Sequence, residues 1–174
     1  MSITMDKILQ TQMTNVYNKI FDQAEDIEIA ARLLAQAVGT DGNILLKTFH
    51  DFKMIEPLLI EGEESLPDIK AFESIQQVTT PDRILVVAKD FDDDVKTFIQ
   101  ELEDKDMDYC LICNKNKEDA DLLSTIFHYI DLASTRKLVP TANFDRIINP
   151  YISAFMFIYY NLYIYIDEMT NDDE

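Results

Sequence analysis

His50 is the residue of this sequence whose type and position best suit proton transfer. It follows the short apolar run Asn43 to Thr48, which predicts a strand. An imidazole titrates near neutral pH, so it takes up and returns a proton readily under physiological conditions. An ordinary loop histidine is the alternative. The carboxylates Asp51, Glu56 and Asp90 are too scattered in the sequence to define a catalytic pair.

Four aspartates, Asp90, Asp92, Asp93 and Asp94, lie at the start of a predicted helix. Negative side chains stabilise a helix N-terminus by ~0.3–1 kcal/mol each. The same carboxylates would repel a bound phosphate by ~1 to 4 kcal/mol each, depending on exposure. We therefore expect a helix start capped by its own acids, and no phosphate bound in the loop from Ala88 to Asp94.

Basic side chains gather near the predicted carboxyl ends of the strands, where open α/β sheets bind ligands. This placement favours a small-molecule site at that edge, although charged loops without a ligand are the alternative. The six residues are Lys47, Lys89, Lys115, Lys117, Arg136 and Lys137.

The two cysteines, Cys110 and Cys113, have the C-x-x-C spacing of a redox or metal pair. Both fall in or at the end of a predicted strand, where residues three apart point to opposite faces. No second cysteine pair completes a zinc site, and His50 and His128 are too few to replace one. We expect two reduced, separately buried thiols, no metal site and no cofactor.

The stretch Asp82 to Cys113 organises the fold that must position these residues. Arg83 to Ala88 and Tyr109 to Cys113 are apolar without alternation, as strands covered on both faces require. Between them, Asp90 to Asp106 predicts a charged amphipathic helix. Strand, helix and strand within about thirty residues form a βαβ crossover, which implies a parallel sheet.

The remaining elements follow from periodicity and from Gly and Pro. Apolar residues at helical spacing cover residues 5–38, and Gly39 ends this helical seam. The seam is either one long helix or two helices that meet near Asp22 to Asp26, where an Asp could cap the second helix. Residues 69–72 predict an edge strand, 118–127 a short helix and 129–132 the last strand, whereas 134–148 predict loop and irregular structure. The final helix begins with Asn149 as N-cap and Pro150 at its first position. We expect one domain over residues 1–169 and an acidic, disordered tail over 170–174.

Composition limits the possible partners. The chain has 174 residues and a formal net charge of −18, which opposes binding to nucleic acid or to an anionic membrane surface. The apolar stretch Tyr151 to Ile166 is shorter than the roughly 20 residues of a membrane span and contains five tyrosines. The N-terminus lacks the apolar run of a signal peptide, so we expect a cytoplasmic protein.

The order of elements resembles the SIS (sugar isomerase) family, near its phosphoheptose-isomerase-like members. Three stretches carry the likeness: Leu33 to Leu46 looks like the helix that leads into the first strand, Asp82 to Cys113 like the central crossover, and Asn149-Pro150-Tyr151 like the start of the closing helix. The resemblance implies a three-layer α/β/α sandwich with a five-stranded parallel sheet in flavodoxin-like order, a long N-terminal helical lead-in, and a homodimer that binds sugar phosphates.

The phosphate loops of that family have degenerated here. Its first loop usually has the pattern G-x-G-x-S, and Thr48, His50 and Phe52 stand at the matching positions. Its second has S-x-S-G-x-T, and Ala88, Asp90, Phe91 and Asp93 stand there instead. The resemblance therefore implies a sugar-phosphate-binding or phosphosugar-isomerase-related protein that has lost the standard phosphate site.

An active protein of this kind would be an aldose–ketose isomerase with His50 or a nearby carboxylate as its base. The alternative is a non-catalytic ligand sensor or scaffold that acts through its dimer surface, in which the N-terminal and final helices supply much of the interface. The predicted ligand-binding residues are Thr48, Lys89, Asp90, Asn114, Lys115 and Arg136.

Overall fold

Five parallel strands form the centre of the computed structural model, which describes residues 3–171. Their spatial order is β2-β1-β3-β4-β5, which is the flavodoxin-like order expected from the sequence. The strands are β1 (Ile44–Thr48), β2 (Ile69–Ala71), β3 (Arg83–Asp90), β4 (Tyr109–Asn114) and β5 (Tyr129–Asp131). The predicted parallel sheet is confirmed, and β2 lies at its edge as predicted.

Helices cover both faces of the sheet and complete three layers. Helices α1 (Met5–Phe21), α2 (Ala24–Ala35), α3 (Glu56–Glu61) and α6 (Tyr151–Thr170) share one apolar core with the sheet, while α4 (Asp93–Asp104) and α5 (Ala120–Ser124) share the other. Short 3-10 turns cover His50–Met54 and Ile75–Gln77. None of the helices within residues 3–171 is long and apolar enough to cross a membrane.

The central strands are apolar because both of their faces are buried. Leu85 and Val87 of β3 point into the core beneath α6, whereas Ile84 and Val86 point into the core beneath α4. All four side chains are fully buried. At ~25 cal/mol per Å² of apolar surface, each contributes about 1.5–3 kcal/mol, so this crossover supplies much of the fold's stability.

The two cysteines obey the same alternation. Cys110 lies in the core beneath α6 and Cys113 in the core beneath α4, and both are free thiols. Burial raises the pKa of Cys110 to about 12 and also raises that of Cys113, so neither forms a thiolate at neutral pH. The prediction of two separate, reduced thiols is confirmed.

The N-terminal seam is two helices, and the break has a specific partner in the sheet. The side chain of Gln23 donates to the backbone oxygen of Asp131 and accepts from its N–H, both at 2.8 Å. This pair of bonds fixes the break against β5. The expected Asp cap on the second helix is wrong, because Asp22 ends α1 and Gln23 precedes α2 without a side-chain cap.

Three further details differ from the sequence-based expectation. Residues 134–148, predicted to be irregular, contain the antiparallel pair β6 (Val139–Pro140) and β7 (Arg146–Ile147), which is too short to leave a periodic signal. Pro150, not Asn149, stands at the N-cap of α6, although Asn149 still accepts a hydrogen bond from the Tyr151 N–H at 3.1 Å. Thr170, expected to begin the disordered tail, is instead the last residue of α6, and residues 172–174 lie outside the described residues.

Candidate functional site

The strand order reverses between β1 and β3, and the loops that follow these two strands meet there. Such a topological switch point is where open parallel sheets bind their ligands. The Phe49 N–H donates to the Val87 oxygen at 3.0 Å, so the first loop stays joined to β3 as it leaves the sheet. His50 follows in a left-handed conformation with φ of 53°. That conformation is unfavourable for a residue with a Cβ, and it turns His50 towards the second loop.

His50 contacts Asp92 across the switch point. Its Nε2 lies 2.7 Å from Asp92 Oδ2, which joins residues 42 positions apart in the sequence. The side chains are 51% and 39% exposed, so the pair is accessible from solvent. A carboxylate that holds one ring nitrogen of an imidazole fixes the ring and leaves the other nitrogen free for proton transfer.

The second oxygen of Asp92 caps helix α4. Oδ1 accepts a hydrogen bond from the Val95 N–H at 3.0 Å, one of the N-terminal amides that no helical carbonyl satisfies. Partial burial alone would raise the pKa of Asp92, but the bonds from Val95 and His50 outweigh it and the pKa lies below its usual value. A fixed carboxylate therefore occupies the helix terminus where folds of this type place an anion.

Asp94 extends this cluster. One ligating atom from each of His50, Asp92 and Asp94 lies within 4.8 Å of the others, a spacing that a shared divalent cation requires. His50 and Asp94 are exposed. The sequence predicted no metal site, and clustered surface acids of this kind occur without an ion.

Lys89 and Asp51 lie beside the switch point on the α6 side. The Lys89 Nζ stands 5.0 Å from the centre of the Tyr151 ring, and the Tyr151 hydroxyl donates to Asp51 Oδ2. That carboxylate raises the pKa of Tyr151, with a smaller contribution from burial. A cation against an aromatic face is stabilised by the ring electrons. The ammonium group of Lys89, a predicted ligand residue, is thus already stabilised by the Tyr151 ring.

The other predicted residues at this edge divide into buried and exposed groups. Thr48 is 1% exposed and its hydroxyl donates to the Glu56 carboxylate. The Asn114 side chain accepts from the Ser134 N–H at 2.7 Å and donates to the Ser134 oxygen at 3.0 Å, which joins β4 to the segment after β5. Asp90 is exposed and lies beside Asn114 in the sheet.

Lys115 lines an open hollow of about 560 Å³ beside the carboxyl ends of β4 and β5. We call this space the basic hollow; the residues that matter for its chemistry are Lys19, Lys115, Asn116, Lys117, Asp131 and Thr135. Sequence reasoning missed Lys19, because nothing in the helical seam indicates that the last turn of α1 lies beside β5. Arg136 is exposed one residue beyond Thr135.

The family is shown by a match over nearly the whole chain. Residues 5–170 match the model described as "Domain of unknown function (DUF2529)". The chain belongs to the DUF2529 family. One relative of this DUF2529 protein is "Uncharacterized protein YwjG" of Bacillus subtilis (strain 168), which is 28% identical over 171 residues that cover 97% of this chain and 99% of the relative.

A solved structure agrees with the fold. The crystal structure of a "putative phosphosugar isomerase" from Silicibacter pomeroyi DSS-3 aligns with this DUF2529 chain at a TM-score of 0.51 and 13% identity, over 91% of this chain. The chain spans about half of that protein, 48% of its length. At this identity the likeness concerns the fold alone, and it supports the sugar-isomerase-like fold expected from the sequence.

Proposed function

We propose that this protein is a sugar-phosphate-binding relative of the phosphosugar isomerases that has lost the standard phosphate site. The observation that carries the proposal is the position of the Asp92 carboxylate, which caps α4 and bonds to His50 at the switch point. A protein that still used this loop for phosphate would leave the helix terminus free for the ligand.

Electrostatics support the loss of that site. A phosphate at the terminus of α4 must displace Asp92 from the Val95 N–H and then lie beside Asp90, Asp93 and Asp94. Because these three side chains are exposed, each repels it by about 1 kcal/mol, near the lower limit for a contact pair. The loss of the cap adds about 1 kcal/mol more. Together these penalties reduce phosphate affinity at this position by about a thousandfold.

The His50–Asp92 pair suits the sugar part of the ligand. Carboxylate and imidazole groups form hydrogen bonds with sugar hydroxyls, and an imidazole oriented by a carboxylate can move a proton between neighbouring carbons. In an aldose–ketose exchange, His50 would remove the proton from the carbon next to the carbonyl while the carbonyl oxygen takes up a proton from water, which gives an enediol. His50 would then return its proton to the former carbonyl carbon as the neighbouring hydroxyl releases one to water. The number of protons is conserved and no oxidant is needed.

Binding and proton transfer are tested separately. A thermal-shift titration with glucose 6-phosphate and a heptose phosphate measures binding, since ligand at 100 Kd adds about 2.7 kcal/mol of stability. Solvent deuterium incorporated next to the sugar carbonyl, followed by NMR, measures proton transfer. We expect His50→Gln to abolish incorporation and His128→Gln, the matched control, to preserve it. Failure of the wild-type protein to bind any sugar phosphate would refute the proposal.

A second candidate function, a non-catalytic scaffold that forms a homodimer, is favoured by one surface. Helix α6 packs against α1 and α2 of its own chain, which accounts for most of its apolar residues. Tyr160 and Ile164 remain about half exposed on α6, and Leu58 of α3 lies beside Tyr160. We propose that the surface formed by Leu58, Tyr160 and Ile164 pairs with a second copy of the chain.

We also propose that the protein is cytoplasmic.

Light scattering distinguishes the two oligomeric states. A homodimer gives twice the 20.2 kDa of the chain, and Ile164→Glu should return it to monomer. Leu122→Glu, at an equally exposed apolar residue of α5, is the matched control and should leave the mass unchanged. A wild-type monomer at all micromolar concentrations would rule out the scaffold.

A further inference from the structure

We infer that the basic hollow binds the anionic group of the ligand, in place of the lost phosphate loop. The inference rests on the proposed function for the identity of the ligand as a sugar phosphate. The anion site itself is argued from the lysines, the position and the size of the hollow.

Three lysines converge on the hollow from separate parts of the chain. Lys19 lies in the last turn of α1, whereas Lys115 and Lys117 belong to the loop between β4 and α5. None of the three forms an ion pair with a carboxylate of residues 3–171. Acidic residues outnumber basic ones by 33 to 15 in this chain, so three unpaired lysines around one space are not expected from composition. Their positive charges are available to a ligand.

Neutral donors complete the lining. The oxygen of the Asn116 side chain already accepts from the Asp119 N–H at 2.7 Å, which orients the amide and leaves its NH₂ group free to donate. Thr135, which also lines the hollow, adds a hydroxyl. Ammonium, amide and hydroxyl donors are the groups that bind phosphate oxygens in proteins.

Two carboxylates near the hollow, those of Asp131 and Asp119, are engaged with other groups. Asp131 lines it, and its Oδ1 accepts from the N–H groups of Lys115 and Ala133, both at 3.0 Å. Asp119 lies 3.0 Å from Lys96, which lowers its pKa and partly balances its charge. Three lysines against the single lining carboxylate Asp131 give the lining residues a positive formal charge.

The hollow also lies at a useful distance from the switch point. Strands β4 and β5, which flank the hollow, are one and two strands from β3, which corresponds to about 5 and 10 Å across the sheet, and β1 lies one strand further. A hexose or heptose phosphate with its phosphate among the lysines would extend along the carboxyl edge towards His50. A volume of about 560 Å³ is within the usual range for small-molecule sites.

Calorimetric titration with inorganic phosphate and with glucose 6-phosphate tests the inference. We expect Lys19→Gln, Lys115→Gln and Lys117→Gln each to weaken binding of both probes by about 3- to 10-fold, and the triple variant to abolish it. Lys7→Gln, on an exposed lysine of the same helix as Lys19, is the matched control and should change neither affinity. Because all these lysines are exposed, urea unfolding should show unchanged stability.

The outcomes separate this inference from the proposed function. If the lysine variants bind the probes as tightly as wild type, or if Lys89→Ala abolishes binding instead, the hollow is not the anion site. If wild type binds neither probe at millimolar concentration, the inference also fails. If phosphate binds and depends on the lysines but the sugar adds no affinity, the anion site is supported and the sugar-phosphate function is refuted.

Discussion

Replacement of Asp92 tests the two roles of its side chain, which caps α4 and contacts His50 at the switch point. Asp92→Ala removes the acceptor for the Val95 N–H, which costs about 1 kcal/mol at a helix N-cap. It also removes a negative charge from the helix terminus, about 0.3–1 kcal/mol, and an exposed contact with His50, about 0.2–1 kcal/mol. These terms share the same atoms and do not add fully. We expect a total loss of about 1–2 kcal/mol.

Asp92→Asn separates the hydrogen bond from the charge. Its side-chain oxygen still accepts from Val95, and Asn caps helices as well as Asp does, so we expect a loss of no more than about 1 kcal/mol. Urea unfolding measures both values at pH 7. For a chain of this length, 1 kcal/mol corresponds to about 2–4 °C in Tm. An Ala variant as stable as wild type, or an Asn variant as damaged as Ala, would refute the assignment of Asp92 as the cap.

The pH dependence of that series has a definite sign. The pKa of Asp92 is lowered in the folded protein, so the advantage of Asp over Asn is present above the unfolded pKa, near 4, and disappears as the pH falls through the folded pKa. When the free energy of unfolding is plotted against pH, we therefore expect the wild-type curve to lie above the Asp92→Asn curve at neutral pH and the two curves to converge in acid. Curves that diverge on acidification would contradict the argument.

Three further predictions concern residues away from the switch point. Asn114→Ala should lower the free energy of unfolding, measured in urea, by about 1–3 kcal/mol, because it leaves the Ser134 N–H buried and unpaired. An unchanged stability would show that the Asn114 amide is not needed for this bond and is available to a ligand. Burial lowers the pKa of His128, whose Nδ1 has no hydrogen-bond partner among residues 3–171. Stability should therefore fall as the pH drops below about 6.5, and His128→Gln should flatten that part of the curve relative to wild type. Cys110 and Cys113 should react with a thiol reagent only after unfolding, and mass spectrometry without reductant should show no two-proton loss, since a disulfide would require the chain to bring together opposite faces of β4.

The fold could be predicted from sequence because strands that are buried on both faces require uninterrupted apolar residues. Arg83 to Ala88 and Tyr109 to Cys113 are uninterrupted apolar runs, and the helix between them buries Val95, Phe98 and Ile99 at helical spacing. The sequence does not decide between one helix and two over residues 5–38, because the contact of Gln23 that fixes the break is with a residue 108 positions away. Local periodicity holds no information about such a partner.

The candidate site was harder to predict than the fold. His50 and the acidic run were visible as residue types, yet the 2.7 Å contact between His50 and Asp92 depends on how two loops leave neighbouring strands. Asn114 was predicted as a ligand residue on its position at a strand end, and the structure shows its amide bonded to Ser134. Position at the edge of a sheet is readable from sequence, whereas the engagement of a side chain with another group is not.

The separation of charge along the carboxyl edge explains why the resemblance to phosphosugar isomerases and the loss of their loops coexist. At the switch point, Asp92 supplies from within the chain the negative charge that a ligand would otherwise bring to α4. In the proposed site, an anion attracted to this edge meets a favourable potential beside β4 and β5, at Lys19, Lys115 and Lys117, which form no ion pair with a carboxylate of residues 3–171. On this proposal, the altered loops reflect a change in where the ligand's charge is held, and His50 would lie beside the ligand's carbon skeleton.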